Sequence, residues 1–205
     1  MQDHKERNIH PETGRFLGRE DKERLLGQRG VVVWLYGLSG SGKSTIANRV
    51  ERVLHAEGRF TAILDGDNLR TGLNSNLGFS DDDRAENVRR VAETAKLLAG
   101  FGVIVIVSVI TPRRELRELA GRIVGGDFLE VYVKADFETC ARRDPKGLYA
   151  KARDGTITQF TGRDSGFEEP VNGCLALDTT AASEEECVSL LLENLRARAA
   201  GGRAS

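Results

Sequence analysis

The sequence predicts a three-layer α/β/α domain with a five-stranded, mainly parallel central sheet. Three observations predict it. Short apolar runs rich in β-branched residues alternate with stretches of helical spacing, the pattern of strands joined by crossover helices. The run Val103–Ile110 is apolar except for Ser108, so it belongs in the middle of a sheet covered on both faces. The run Val31–Tyr36 leads straight into a glycine-rich stretch and then a helical pattern.

Each element has its own reason. Residues 1–29 are polar and lack periodicity, and are expected to form an arm, flexible or packed on a neighbour. Val31–Tyr36 is the first strand. Lys43 to about Ala56 is a helix with Ile46, Val50, Val53 and Leu54 on one face and Gly58 as its stop. Phe60–Leu64 is the second strand, ending in the polar turn Asp65-Gly66-Asp67-Asn68. Leu69–Asp83 reads as a loop, and Arg84 to about Phe101 as a helix capped by Asp81–Asp83. After the third strand, Val103–Ile110, Thr111-Pro112 opens a helix that runs to about Val124. Phe128–Val133 is the fourth strand, and Asp136 caps a short helix through Arg143. Residues 144–170 are long, charged and glycine-bearing, which inside a compact domain marks a mobile lid or binding loop, with a disordered loop as the plainer alternative. Cys174–Asp178 is the fifth strand. A final helix follows from Ser183 to about Ala199, with Ser183 and Glu186 in capping-box spacing, and residues 201–205 are a tail.

Composition narrows the function. The chain has 205 residues and a net charge of −1, so no general attraction to nucleic acid or to an anionic membrane is expected. The longest apolar run is too short to span a bilayer, and the first 21 residues show no secretory pattern. Three cysteines without a CxxC pair argue against a disulfide framework or a zinc site and fit a cytoplasmic protein.

The stretch Gly37-Leu38-Ser39-Gly40-Ser41-Gly42-Lys43-Ser44-Thr45 has P-loop spacing between a strand and a helix. Its glycines let main-chain N–H groups approach phosphate oxygens, and the following helix aims its positive end at them. Lys43 reaches toward the β- and γ-phosphates, and the Ser44 hydroxyl is a ligand for Mg²⁺. ATP and Mg²⁺ are therefore the expected co-substrate and cofactor.

A phosphate cradle alone does not separate a kinase from a switch or a motor. The chain is short. Its third strand ends Ser108-Val109-Ile110-Thr111 without a terminal aspartate, so acids near the phosphates must come from Asp65 or Asp67. Arg70, Arg84, Arg113, Arg114, Arg142, Arg143 and Lys146 fall at junctions facing the carboxyl ends of the strands, where an anionic acceptor would sit. These features favour a P-loop kinase of the small-molecule type. A simple turn at Asp65–Asp67 and a solvated arginine face after Arg84 are the plainer alternatives.

The motifs together resemble the adenylylsulfate kinase family. GLSGSGKST at Gly37–Thr45, LDGDNLRTGL at Leu64–Leu73, LGFSDDDRAENVRR at Leu77–Arg90, DPKGLYAKA at Asp144–Ala152 and FTGRDS at Phe160–Ser165, with FEEP at Phe167–Pro170, carry the resemblance. It spans about residues 30–199. It implies phosphorylation of adenosine 5′-phosphosulfate at its 3′-hydroxyl, using ATP. On the acceptor side it implies Asp67, Arg70, Phe79, Arg84, Asn87, Ile110, Thr111, Lys146 and Phe160, with Phe79 and Phe160 as an adenine sandwich. Lys43, Asp67 and Thr111 become the catalytic candidates. Gly37–Thr45 and Arg142 become the ATP contacts, and Ser44 and Asp65 the metal contacts. A homodimer and an ATP sulfurylase partner are further implications. One departure stands out: Ile110-Thr111-Pro112 occupies the place of the family's usual Ile-Ser-Pro. A related kinase for another hydroxyl or nucleotide is the alternative this keeps open, with a nucleotide-dependent binding protein behind it.

Overall fold

The computed structural model describes residues 13–156, 161, 166–171 and 173–200. Phe160 and the tail at 201–205 lie outside the described residues. After a single turn at Thr13–Arg15 the chain forms α1 (Arg19–Leu26), β1 (Val31–Tyr36), α2 (Lys43–Ala56), β2 (Thr61–Asp65), α3 (Gly66–Arg70), α4 (Asp81–Ala99), β3 (Ile104–Ser108) and α5 (Arg114–Val124). A turn at Gly125–Asp127 then leads to β4 (Phe128–Lys134), α6 (Phe137–Arg143), α7 (Leu148–Arg153), β5 (Leu175–Asp178) and α8 (Glu184–Ala200).

The five strands form one sheet in the order β2-β3-β1-β4-β5, and every pairing is parallel. β1 lies in the middle and all six of its residues are buried. Its side chains alternate between two apolar layers. Val31, Val33 and Leu35 meet α2 and α8 through Ile46, Val50, Leu54, Leu191 and Leu195. Val32, Trp34 and Tyr36 meet α4 and α5 through Val91, Ala92, Ala95, Leu116 and Ala120. The predicted three layers are present, and the carboxyl ends of β1, β2 and β3 open onto one crevice.

Several boundaries differ from the sequence reading for identifiable reasons. Asp65–Asn68 is not an isolated turn but the start of α3, because the Asp65 side chain accepts the main-chain N–H groups of Asp67 and Asn68. α4 begins three residues early because Ser80, not the aspartates, is its cap; Asp81–Asp83 fill the first turn, where the helix dipole favours acids. Pro112 sits two residues ahead of α5 rather than inside it. The capping box at Ser183 is present, its hydroxyl accepting the Glu186 N–H and the Glu186 carboxylate accepting the Ser183 N–H.

Part of the expected arm is ordered on the domain itself. α1 buries no residue, so it carries no apolar stripe for a periodicity search to find. It docks by polar contacts: Arg19 donates to Asp127 and to the Gly30 carbonyl, and Gln28 donates to the carbonyls of Phe60 and Gly102.

Candidate active site

The crevice has a volume of about 900 Å³. On one side stands the glycine-rich loop between β1 and α2. Gly37 has φ 150° and Gly42 φ 102°, in the region side chains avoid. A Cβ at Gly37 would also lie 2.4 Å from the Val133 carbonyl oxygen. The loop therefore wraps tightly against β4 only because these positions are glycine. Ser39, Gly40, Gly42, Lys43, Ser44 and Thr45 line the crevice. Gly37, Leu38 and Ser41 shape the loop from beneath; Ser41 is fully buried and Leu38 joins a small apolar cluster with Cys140 and Tyr149.

Lys43 is folded back on its own loop. Its Nζ donates to the carbonyls of Gly37, at 2.9 Å, and Leu38, at 2.7 Å. Burial pushes its pKa down to about 8. Beside it is a cluster of oxygens. The Ser44 hydroxyl donates to Asp65 Oδ2 at 3.0 Å and lies 3.2 Å from the Ser108 hydroxyl. Hard oxygen donors of this kind, few in number and beside a phosphate cradle, suit Mg²⁺, which keeps waters and takes further ligands from substrate phosphates. No cluster of three His, Cys, Asp or Glu able to hold a metal occurs among the described residues.

Arg142 does not line the crevice. It turns away and donates to Thr139 Oγ1, one helical turn back. Its neighbour Arg143 lines the crevice and is held there by the Thr179 hydroxyl and carbonyl. Sequence alone could not choose between adjacent arginines at a helix end; a rotation of ~100° per residue decides it.

The first part of the expected lid is firmly seated. Asp144 accepts the N–H groups of Tyr149 and Ala150 and so starts α7, and the Tyr149 hydroxyl donates to the Ser39 carbonyl at 2.8 Å. Lys146 then pairs with Asp67 across the crevice mouth.

The opposite side is built from α3, α4 and the turn after β3. Arg70 donates to the carbonyls of Leu77 and Gly78 and lies 4.3 Å over the Phe79 ring, which leaves Phe79 63% exposed at the mouth. Arg84 donates to the Phe79 carbonyl and to Thr161 Oγ1. Partial burial lowers the pKa of both guanidiniums, the direction expected of cations held in a protein wall. Asn87 is buried, and its Oδ1 accepts from Asn74 Nδ2 at 3.0 Å. The lining carries five cations (Lys43, Arg70, Arg84, Arg143, Lys146) against three carboxylates (Asp65, Asp67, Glu184) in a chain of net charge −1. The crevice thus favours anions although the protein as a whole does not.

Ile110 and Thr111 complete the wall. The Ile110 carbonyl accepts the Gly37 N–H, tying the two sides of the crevice together. Thr111 is 3% exposed, and its Oγ1 accepts a hydrogen bond from Trp34 Nε1 at 3.1 Å. The hydroxyl expected to serve chemistry is therefore engaged by the core. Sequence reasoning selected neither Thr161, which lines the crevice, nor Asn74, which supports Asn87 from behind; it counted Arg143 among the junction cations but gave the ATP contact to Arg142. Thr161 lay inside a quoted motif and Asn74 just past the end of one, but nothing in a single sequence says which polar residue of such a stretch faces inward.

The pattern of the adenylylsulphate kinase family matches residues 29–178. The chain belongs to this family. An adenylyl-sulfate kinase of Phocaeicola vulgatus is 57% identical over 189 residues, 92% of this chain and 93% of that one. The APS kinase CysC of Mycobacterium tuberculosis, solved in complex with AMPPNP and APS, superposes with a TM-score of 0.79 at 50% identity, covering 82% of this chain and 98% of that one. A hexameric APS kinase from Thiobacillus denitrificans matches at 30% identity and TM-score 0.61, covering 82% of this chain and 29% of that one. The family's fold and the two-sided crevice thus come together in one chain.

Proposed function

We propose that this protein transfers the γ-phosphoryl group of ATP to the 3′-hydroxyl of adenosine 5′-phosphosulfate. The observation that carries the reading is the pairing, in one crevice, of a phosphate loop with an arginine- and asparagine-lined wall that ends in the exposed Phe79 ring. A simple nucleotide switch has no use for that second wall.

In this reading the loop N–H groups from Ser39 to Thr45 hold the phosphates of ATP, with Arg143 beside them. Lys43 leaves the Gly37 and Leu38 carbonyls to meet them. Ser44 and Asp65 hold Mg²⁺, which neutralises phosphate charge when bound. Arg70 and Arg84 take the phosphosulfate, Asn87 and Ile110 the nucleoside, and Phe79 stacks on adenine; Phe160 is assigned the other face. Asp67 accepts the proton of the 3′-hydroxyl as that oxygen forms its bond to phosphorus and the bond from phosphorus to the β-bridging oxygen breaks. Lys146 beside it offsets charge on the moving phosphoryl group. Thr111 acts through its main chain, since its hydroxyl is occupied by Trp34. Most of the rate enhancement is positioning and fixed charge.

A coupled assay supplying ATP, Mg²⁺ and adenosine 5′-phosphosulfate tests the proposal. Acceptor-dependent ADP release with formation of the 3′-phosphorylated nucleotide is expected. Turnover with a different hydroxyl acceptor and none with adenosine phosphosulfate would replace it by the related-kinase reading. Among the described residues no helix is long and apolar enough to cross a membrane; a cytoplasmic site belongs to the proposal. A homodimer, read by sedimentation, and contact with an ATP sulfurylase, read by co-elution, complete it.

A further inference from the structure

Thr111 has φ 38°, a left-handed backbone that a β-branched residue adopts only when its surroundings impose it. Two buried donors impose it. Trp34 holds the hydroxyl, and Arg117 holds the carbonyl. Arg117 lies on α5, outside the lining of the crevice, and is only 2% exposed. Its Nη1 donates to the carbonyls of Thr111, at 3.2 Å, and Pro112, at 3.1 Å, while its Nη2 donates to the Glu168 carbonyl at 2.9 Å. Glu130 pairs with its Nε at 3.3 Å, and the Tyr36 ring lies 4.6 Å beneath the guanidinium. Glu168 closes the arrangement from the other side. Its N–H donates to the Pro112 carbonyl, and its carboxylate accepts the Arg114 N–H at the start of α5. The guanidinium fork thus satisfies three carbonyls that no lysine could reach together.

We infer that Arg117, braced by Glu168, is a positioning residue that holds the Thr111–Pro112 turn in its strained form and so sets affinity for the acceptor rather than for ATP. This rests on the reading of the Ile110–Thr111 wall as the acceptor side. The turn faces the crevice; the phosphate loop meets the preceding Ile110 carbonyl through the Gly37 N–H but takes its shape from its own glycines and from β4.

Trp34 is the chain's single tryptophan and reports on the turn directly. Fluorescence of R117K, E168A and T111V, with KM for each substrate, tests the inference. T111V defines the emission change that follows loss of the indole's acceptor. R117K is expected to shift Trp34 emission in the same direction and to raise KM for adenosine phosphosulfate about tenfold, with KM for ATP within about twofold. E168A, at an exposed side chain, should do the same to a smaller extent and stands in if R117K does not fold. Wild-type emission in both variants, or parallel rises in the two KM values, would overturn it. If the wild-type enzyme does not use adenosine phosphosulfate, the functional reading fails, while the fluorescence still decides whether Arg117 holds the turn.

Discussion

Asp65 holds two positions at once, and a single atom's change separates them. Its Oδ1 accepts the N–H groups of Asp67 and Asn68 and so starts α3. Its Oδ2 accepts the Ser44 hydroxyl at 3.0 Å, within the oxygen cluster assigned to Mg²⁺. In Asp65→Asn the amide oxygen still caps the helix. The amide nitrogen then faces Ser44, whose hydroxyl reverses to accept from it. Fold stability should change by less than about 0.5 kcal/mol, whereas Asp65→Ala, which removes the cap, should cost about 1 kcal/mol. The asparagine nevertheless presents an uncharged donor where a cation needs a carboxylate. Loss of one such oxygen partner costs about 10- to 100-fold in metal affinity, or about 1.4–2.7 kcal/mol. Initial rates against free Mg²⁺ at saturating ATP, read beside thermal melting, give both numbers. A half-saturating Mg²⁺ concentration within twofold of wild type in Asp65→Asn would refute the assignment of this carboxylate to the metal.

Three further outcomes are expected. Lys43 carries a pKa near 8 because burial penalises its charge. As pH rises through 8 the free enzyme loses the cation its phosphate site needs, so KM for ATP should rise about tenfold per pH unit beyond that point; a flat KM from pH 7 to 9 would contradict it. The sign for stability is opposite. Between about 8 and the ordinary 10.5 the unfolded chain holds the proton more tightly than the folded one, so this group's contribution to stability grows with pH across that window, read by denaturant titration. Thr111→Val strips the acceptor from a buried indole N–H and should cost about 2 kcal/mol, lowering Tm by about 4–8 °C, while Thr111→Ser stays near wild type. Arg143→Ala should raise KM for ATP several-fold and Arg142→Ala should leave it unchanged; equal effects would undo the distinction drawn from their different partners.

The donor side was legible in the sequence because it is local. Nine contiguous residues specify the loop, and the positive φ angles of Gly37, Gly40 and Gly42 are encoded by residue type. The layers were legible for a similar reason. A strand such as Val31–Tyr36, buried at every position, announces itself by composition. What composition does not encode is the identity of long-range partners. Ser80 looked no better a cap than the three aspartates beside it, and α1 was invisible because Arg19 and Gln28 dock it by hydrogen bonds rather than an apolar stripe. Arg117 reads as one more charge on the face of RELRELAGR, and only the fold places three carbonyls around it.

The same contrast bears on the threonine that departs from the family's serine. If residue 111 carried a phosphoryl group, its oxygen would have to leave the Trp34 indole and place a dianion at a position 3% exposed, against the core. Burying such charge without a cation in contact is among the costliest changes a fold can undergo. The cation nearest by bonding, Arg117, already spends its donors on the carbonyls of Thr111, Pro112 and Glu168 and would have to abandon them. What serine and threonine share, a hydroxyl able to accept from the indole, is what this environment uses; what threonine adds, a methyl on a left-handed backbone, is tolerated because Trp34 and Arg117 hold that backbone from both ends. The substitution therefore changes the cost of the turn more than its shape, and acceptor recognition should follow the shape.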